Sequence, residues 1–221
     1  MTAVWETFHR AWDYAGSHMA ELGGALADHL ELVAIALSIS LLTCIPLGIW
    51  TARRSRLRAG DRPAGWLMNA VNGLRVVPSL AVLFLLIPYL GLSSTSAAVA
   101  LTMLALPPVL INTDAAFRGL DPAVLEAARG MGMTARQMLW RVEFPLALPV
   151  ILAGVRTAAV EVISSATLAA FVGSGGLGIY ITRGFALFDY AILLVGAVPV
   201  ALLTLLAEAA LALLERAARK P

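Results

Sequence analysis

The longest uncharged stretch of the chain runs from Val76 to Thr113, 38 residues without Asp, Glu, Lys or Arg. As one helix it would be about 57 Å long, nearly twice a hydrocarbon layer of about 30 Å. It must fold back on itself, and Gly91-Leu92-Ser93-Ser94-Thr95-Ser96 supplies a polar, glycine-bearing break. Leu32–Ala52 is a second uncharged run of 21 residues, the length of one span, and Val162–Thr182 and Tyr190–Ala207 are two more. Hydrophobic residues make up 60% and charged residues 14% of the 221 positions, against about 45–50% and about 25% in a soluble domain. A water-soluble fold and a disordered chain are both excluded. The pattern predicts an all-α polytopic membrane protein with five transmembrane helices, at about 30–51, 66–90, 96–113, 147–172 and 190–214.

The basic residues set the expected orientation. Arg53, Arg54, Arg56, Arg58 and Arg62 lie in the first loop, Arg118, Arg129, Arg136 and Arg141 in the 114–146 segment, and Arg216, Arg219 and Lys220 in the tail. Five helices put these twelve of the sixteen basic residues on one side, and the positive-inside rule makes that side cytoplasmic. The N-terminus is then outside and the C-terminus in the cytoplasm. Residues 1–29 are expected to form an external, interfacial segment, 30–214 a single membrane domain and 215–221 a cytoplasmic tail. Residues 1–29 lack a basic start, a continuous apolar core and a small-residue cleavage site, so they do not read as a signal peptide. Trp5, Phe8, Trp12 and Tyr14 recur near helical spacing, as in a helix lying on a membrane surface. His9, His18 and His29 are too widely spaced for one metal site and read as surface residues, and the single Cys44 reads as a packing residue. No metal and no cofactor is expected.

The segment LDPAVLEAARGMGMTARQMLWRVEFPLALP, residues 120–149, carries the most local information. Asp121 is placed to cap a helix whose first turn holds Pro122, and Leu120 and Leu125 are spaced as a hydrophobic staple. The helix is expected to stop at Gly130-Met131-Gly132. Thr134 and Gln137 form the T-x-x-Q pattern of a capping box, Met133 and Met138 a second staple, and Pro145 and Pro149 are expected to end the second helix. Two short helices joined by a glycine elbow make a rigid projection able to carry force between the spans and a cytoplasmic body.

Glu126-Ala127-Ala128, three residues, Gly132, nine residues, Val142, one residue, then Phe144-Pro145 resembles the EAA loop of ABC-importer membrane permeases, with Val for Ile and Phe for Leu. The stretches VVPSLAVLFLLIPYLGL (76–92), LALPPVLINTDAAFRGLDPAVLEAARGMGMT (104–134) and the 145–178 region are similar to osmoprotectant permeases that carry glycine betaine, choline, carnitine or proline. The resemblance implies the MetI-like ABC importer fold, with a cytoplasmic coupling-helix hairpin at 120–145. It implies that Glu126, Ala127, Ala128, Gly132, Met133, Thr134 and Pro145 belong to the surface that docks on an ATPase subunit. It further implies two ATP-binding cassette subunits, a second permease chain, identical or homologous, and an extracytoplasmic solute-binding protein, in a bacterial inner membrane. A permease for methionine or another small polar solute is the alternative within the class.

The chain has no G-x-x-x-x-G-K-[ST], so ATP hydrolysis is expected of a separate polypeptide. No H-E-x-x-H, G-x-S-x-G or paired-carboxylate constellation suggests an enzyme. An ion channel would leave the hairpin without a purpose. No nucleic-acid partner is expected. Ionisable residues inside spans are costly and mark function by default. Arg75, Ser79, Arg156, Glu161 and Ser165 are the candidate pathway or gate residues. Arg75 and Glu161 are open to three readings: an ion pair, a gate or pathway lining, and contact with a zwitterionic solute. Asn112, Thr113 and Asp114 are expected at the end of the third helix, as a cap or a gate. Small residues from Ser164 to Gly173 predict close helix packing, and Gly173–Gly178 a tight turn.

Overall fold

The computed structural model describes residues 2–57 and 62–219, so Arg58 and Lys220 of the orientation pattern lie outside the described residues. The described residues are almost entirely helical. The helices are α1 (Thr2–Ser17), α2 (Met19–Leu57), α3 (Arg62–Leu74), α4 (Ser79–Leu90), α5 (Ser94–Arg118), α6 (Pro122–Gly130), α7 (Ala135–Met138), α8 (Phe144–Ser165), α9 (Gly178–Ala186) and α10 (Tyr190–Ala218). A π-helical turn, Leu139–Glu143, joins α7 to α8, and a 3₁₀ segment, Ala166–Val172, extends α8. Four helical stretches are long and apolar enough to cross a membrane, and counting the bent pair α3–α4 as one broken span gives five.

The five spans stand, but their boundaries and continuity differ from expectation. The first begins at Met19 rather than near residue 30, because polar residues such as Glu21 and Asp28 do not interrupt a helix that packs on its apolar side. The expected helix 66–90 is broken: α3 and α4 meet at 100°. Pro78 is the cause. It lacks an amide proton and disfavours helical geometry at Val77, and its own ψ of 134° is extended. Arg75, Val76 and Val77 donate to Asn72, Gly73 and Leu74 carbonyls, a tightened last turn before the break. Arg75 therefore sits at a corner and not in the middle of a helix.

Helix α5 is the most buried span, with α2 and α8 packed along it. Leu32, Val33 and Ala36 of α2 meet Leu101, Leu104 and Leu110 of α5 and Ala158, Val162 and Ile163 of α8 in one apolar cluster, which also includes Val82 and Leu83 of α4. Cys44 is buried there, its thiol pointing to the Leu106 carbonyl at 3.6 Å. Ala166 and Ala169 have no exposed surface, consistent with close backbone approach by small residues. A second cluster joins α1, α2, α9 and α10 through Ala11, Ala25, Tyr180 and Ile192. Arg10 and Asp189 tie α1 to the start of α10 at 2.7 Å. Many large apolar side chains face outward, Leu42 and Leu206 among them, as a lipid-facing surface requires.

Three expectations fail on side-chain burial and helix length. His29 is not a surface residue: it is fully buried, with Nε2 3.1 Å from the Ile163 carbonyl. The third helix does not end at Thr113 but runs on to Arg118. Asn112, Thr113 and Asp114 therefore lie inside it and are no cap, and Asp114 is buried. Its carboxylate accepts from Thr51 Oγ1 of α2 at 2.7 Å and pairs with Arg118 at 2.6 Å. The sequence also gave no warning of α9, a short helix packed on α10. The Asp114 contact has a measurable weight. Thr51→Val keeps the shape but removes a donor to a buried charge, an interaction worth about 1.5–3 kcal/mol, so the variant is expected to lose about that much stability in detergent denaturation.

Candidate coupling hairpin and intramembrane cleft

The hairpin is built as the local signals demand. Asp121 accepts from the Ala123 amide at 2.8 Å and caps α6. At its other end the Met133 amide donates to the Ala128 carbonyl and the Gly132 amide to Arg129, the paired bonds of a Schellman motif. Gly132 is the left-handed residue of that motif, with φ of 75°. Thr134 Oγ1 accepts from the Gln137 amide at 3.3 Å, and Gln137 Oε1 accepts from the Thr134 amide at 2.9 Å, completing the capping box. Leu125, Ala128 and Met138 are buried together with Leu120, Met133 and Val142 beside them, so both staples close on one small core. Glu126 and Ala127 lie on the exposed side of α6, while Ala128 is buried.

Pro145 and Pro149 do not end the second helix of the hairpin. The Phe144 amide reaches back to the Leu139 carbonyl, five residues away, and α8 continues directly. A widened π turn relieves the clash between a proline ring and the preceding turn, so the chain passes Pro145 without a break. The second helix of the hairpin, α7, and the fourth span are one rod.

Sequence reasoning missed what fastens this rod. Glu143, in the π turn, is fully buried. Its Oε2 accepts from Arg53 Nε at 3.0 Å, and its Oε1 lies 3.7 Å from Arg56 Nη1. Both arginines belong to the last turns of α2, where positive charge also suits the helix dipole. Ala52, Phe117, Ala147 and Ile151 pack directly beside the clamp. In sequence the arginines mark only orientation, and the spacing of Glu143 carries no sign of its partners. Glu143→Ala removes charge-assisted bonds worth about 1.5–3 kcal/mol. The partially exposed arginines regain water, so the expected loss in denaturation midpoint corresponds to the lower part of that range.

The intramembrane candidates separate into two places. Arg75, Ser79, Glu161 and Ser165 line one cleft of about 250 Å³, at the corner between α3 and α4, against Pro107 and Pro108 of α5. Arg75 acts electrostatically on Glu161, but the two form no ion pair within 4 Å among the described residues. Both are exposed in the single chain. Arg156 is elsewhere. It faces α10, 3.6 Å from Glu208 and in charge contact with Glu215 at 3.3 Å, and Glu215 also pairs with Arg219 at 2.6 Å. The one sequence signal of these partners is that Glu208 and Glu215 recur at i, i+7 on one face of the last helix.

Residues 44–220 match the model of the family described as "Binding-protein-dependent transport system inner membrane component". The chain is 38% identical over 208 residues to the choline transport system permease protein OpuBB of Bacillus subtilis (strain 168), covering 94% of this chain and 93% of that one. It is 41% identical over 188 residues to the carnitine transport permease protein OpuCB of Listeria monocytogenes, covering 85% and 84%. An inward-facing structure of the MetNI methionine ABC transporter superposes with a TM-score of 0.79 at 22% identity, covering 92% of this chain and 99% of that chain. That likeness shows the fold, an all-α, MetI-like polytopic membrane architecture. The chain belongs to the binding-protein-dependent transport system inner membrane component family. It is a permease subunit of an ABC importer, a class that works with an ATPase and a solute-binding protein.

Proposed function

We propose that this permease imports a quaternary ammonium osmoprotectant such as choline, carnitine or glycine betaine. The relatives named for these solutes, which the chain matches along most of its length, support that class. The observation that carries the mechanism is the broken span. Irregular backbone within a bilayer is tolerated where it is buried in protein or lines a watery cavity. The break at Arg75–Pro78 opens on a cleft with Arg75, Ser79, Glu161 and Ser165, so this corner lines the solute pathway. A zwitterion presents a cation to Glu161 and a carboxylate to Arg75. Arg156, held by Glu208 and Glu215, has a structural role outside it.

The hairpin couples this pathway to ATP. The exposed face of α6 with Glu126 and Ala127, and the elbow at Gly132, Met133 and Thr134, form the docking surface for the ATPase, and Pro145 marks where the rod enters the membrane. The assembly has two permease chains, two ATPases and one binding protein, and this chain hydrolyses nothing itself. The hairpin end is cytoplasmic, and the N-terminus lies outside.

In proteoliposomes with its ATPase and binding protein, the wild type is expected to take up labelled choline, carnitine or glycine betaine. Arg75→Ala and Glu161→Gln are each expected to lower uptake at least tenfold while the complex still assembles. Normal uptake by both variants would remove the pathway assignment, and methionine uptake in place of the quaternary solutes would overturn the solute class. Gly132→Val forces a β-branched side chain to positive φ, a strain of about 1–2 kcal/mol. Uptake is expected to fall sharply with insertion intact, and uptake near normal contradicts the coupling role. For orientation, a cysteine at Ser94 in a Cys44→Ser background is expected to react with an impermeant maleimide from outside. One at Ala135 is expected to stay unlabelled, and the reverse pattern would invert the topology.

A further inference from the structure

The fourth span changes helix type before it ends. α8 is followed by seven residues of 3₁₀ helix, Ala166–Val172. Runs of this helix longer than three or four residues are uncommon, because its hydrogen bonds are poorer. Here packing supports it. Ala166, Ala169 and Val172 have no exposed surface, and a spacing of three keeps them on one face only at three residues per turn. In an α-helix Val172 would point about 120° away from Ala166. The α-helical face through Ala166 would instead carry Ala170 and Gly173, at i+4 and i+7, small residues that also permit close helix approach. One segment thus carries two packing stripes, one for each helix type.

His29 of α2 stands at the point of change. Its ring is fully buried, and Nε2 donates to the Ile163 carbonyl at 3.1 Å. In the neutral ring that places the single proton on Nε2 and leaves Nδ1 a bare acceptor. Nδ1 is buried without a hydrogen-bond partner among the described residues. Ile163 is one of the last four residues of α8, whose carbonyls lack α-helical partners. Were the α-helix to run on, the Thr167 amide would take the Ile163 carbonyl and displace His29. A second buried orphan, Ser174 Oγ, belongs to the turn after the 3₁₀ segment, where Gly173, Gly175 and Gly176 have φ of 71°, 80° and 79°. That turn rests on His29: a Cβ at Gly176 would lie 3.4 Å from Nδ1. One orphan accepts and the other can donate. Buried polar groups left unpaired are costly, and movement of the glycine turn is able to pair these two.

We propose that residues 166–176 are a two-state element of the transport cycle, with His29 the positioning residue that holds its 3₁₀ form. In the other form Ala166–Val172 is α-helical, the Ile163 carbonyl passes to Thr167, and Ser174 donates to Nδ1 of His29. Each form satisfies one ring nitrogen and leaves the other, which keeps the two close in energy. A 3₁₀ residue rises about 2.0 Å and an α residue about 1.5 Å, so seven residues shorten by about 3.5 Å and their far end turns by about 140°. Glu161 and Ser165 precede the segment on the same helix, so the change reaches the Arg75–Glu161 cleft. The inference rests on the importer reading only for what drives the conversion.

The test is the distance between nitroxide labels on cysteines replacing Thr157 and Phe171, both exposed, in a Cys44→Ser background. The permease–ATPase complex is reconstituted in nanodiscs, with labelled chain diluted by unlabelled, and measured nucleotide-free and vanadate-trapped. With His29 in place, two distances about 3 Å apart are expected, in proportions that change with nucleotide. His29→Leu is expected to favour the shorter distance in both states. His29→Gln, whose amide can donate where Nε2 does, is expected to restore the original proportions, and Ser174→Ala to favour the longer distance. A single distance, unchanged by nucleotide, in the chain that keeps His29 overturns the proposal without recourse to any variant, as do unaltered proportions in His29→Leu. Equal shifts in His29→Gln and His29→Leu overturn the positioning role, since ring packing alone would explain them. Uptake of choline, carnitine or glycine betaine, measured separately, reports on the solute class whatever the distances are.

Discussion

In hydrocarbon a backbone amide or carbonyl has no water to turn to, and each one left unpaired costs several kcal/mol. That constraint orders the whole chain. It makes every span a helix, and it leaves departures from helix only where something else satisfies or solvates the backbone. Two of the departures within spans are each set by a proline and resolved differently. At Pro78 the helix ends, turns through 100° and faces a polar cleft. At Pro145 it widens by one residue per turn and goes on. The difference follows from the neighbours. Leu74, Arg75, Val76 and Val77 close with three-residue bonds and have the cleft beside them, whereas the turn before Pro145 is enclosed by Phe117, Ala147 and the clamped Glu143.

The clamp gives the hairpin its mechanical value. A projection fastened only by its own small core would pivot at its base. Here the base is buried, and one carboxylate holds two arginines of a different span. A displacement of α7 would be carried to α8, with which it is continuous, and through the clamp to α2. The 39 residues of α2 reach from this clamp to the opposite face of the protein, so the two ends are joined by one helix.

Much of this was legible from the residues. Five spans, the 120–145 hairpin, its caps, both staples and its glycine elbow follow from local chemistry, in which the partners are within five residues of one another. What stayed hidden was long-range. Glu143 finds Arg53 across 90 positions, and Thr51 finds Asp114 across 63. His29 reads as a surface residue because it falls before the first uncharged run, with His9 and His18 too far off to share a metal, yet its partner is a carbonyl 134 residues away. The break at Pro78 was within reach of sequence reasoning, since Asn72, Gly73 and Pro78 cluster there. The run of apolar residues on either side concealed it, because hydropathy registers span length and not continuity.

The same pairings decide which intramembrane charges are free to meet a solute. Arg156 looked equivalent to Arg75 in sequence, at similar depth on a facing helix. The last helix distinguishes them: Glu208 and Glu215 stand on the face toward Arg156, and Arg219 completes the network. Asp114 is likewise taken up by Thr51 and Arg118. An ion paired in this way fixes helix register and has little left to offer a ligand. Arg75 and Glu161 have no such partners among the described residues, stand on the exposed side of the chain and share a cleft with two hydroxyls. Charge that the fold does not neutralise must be met by water, by another subunit or by solute. A transport pathway needs groups in that state, because a site already satisfied by its own protein has no reason to release and rebind a passing ion.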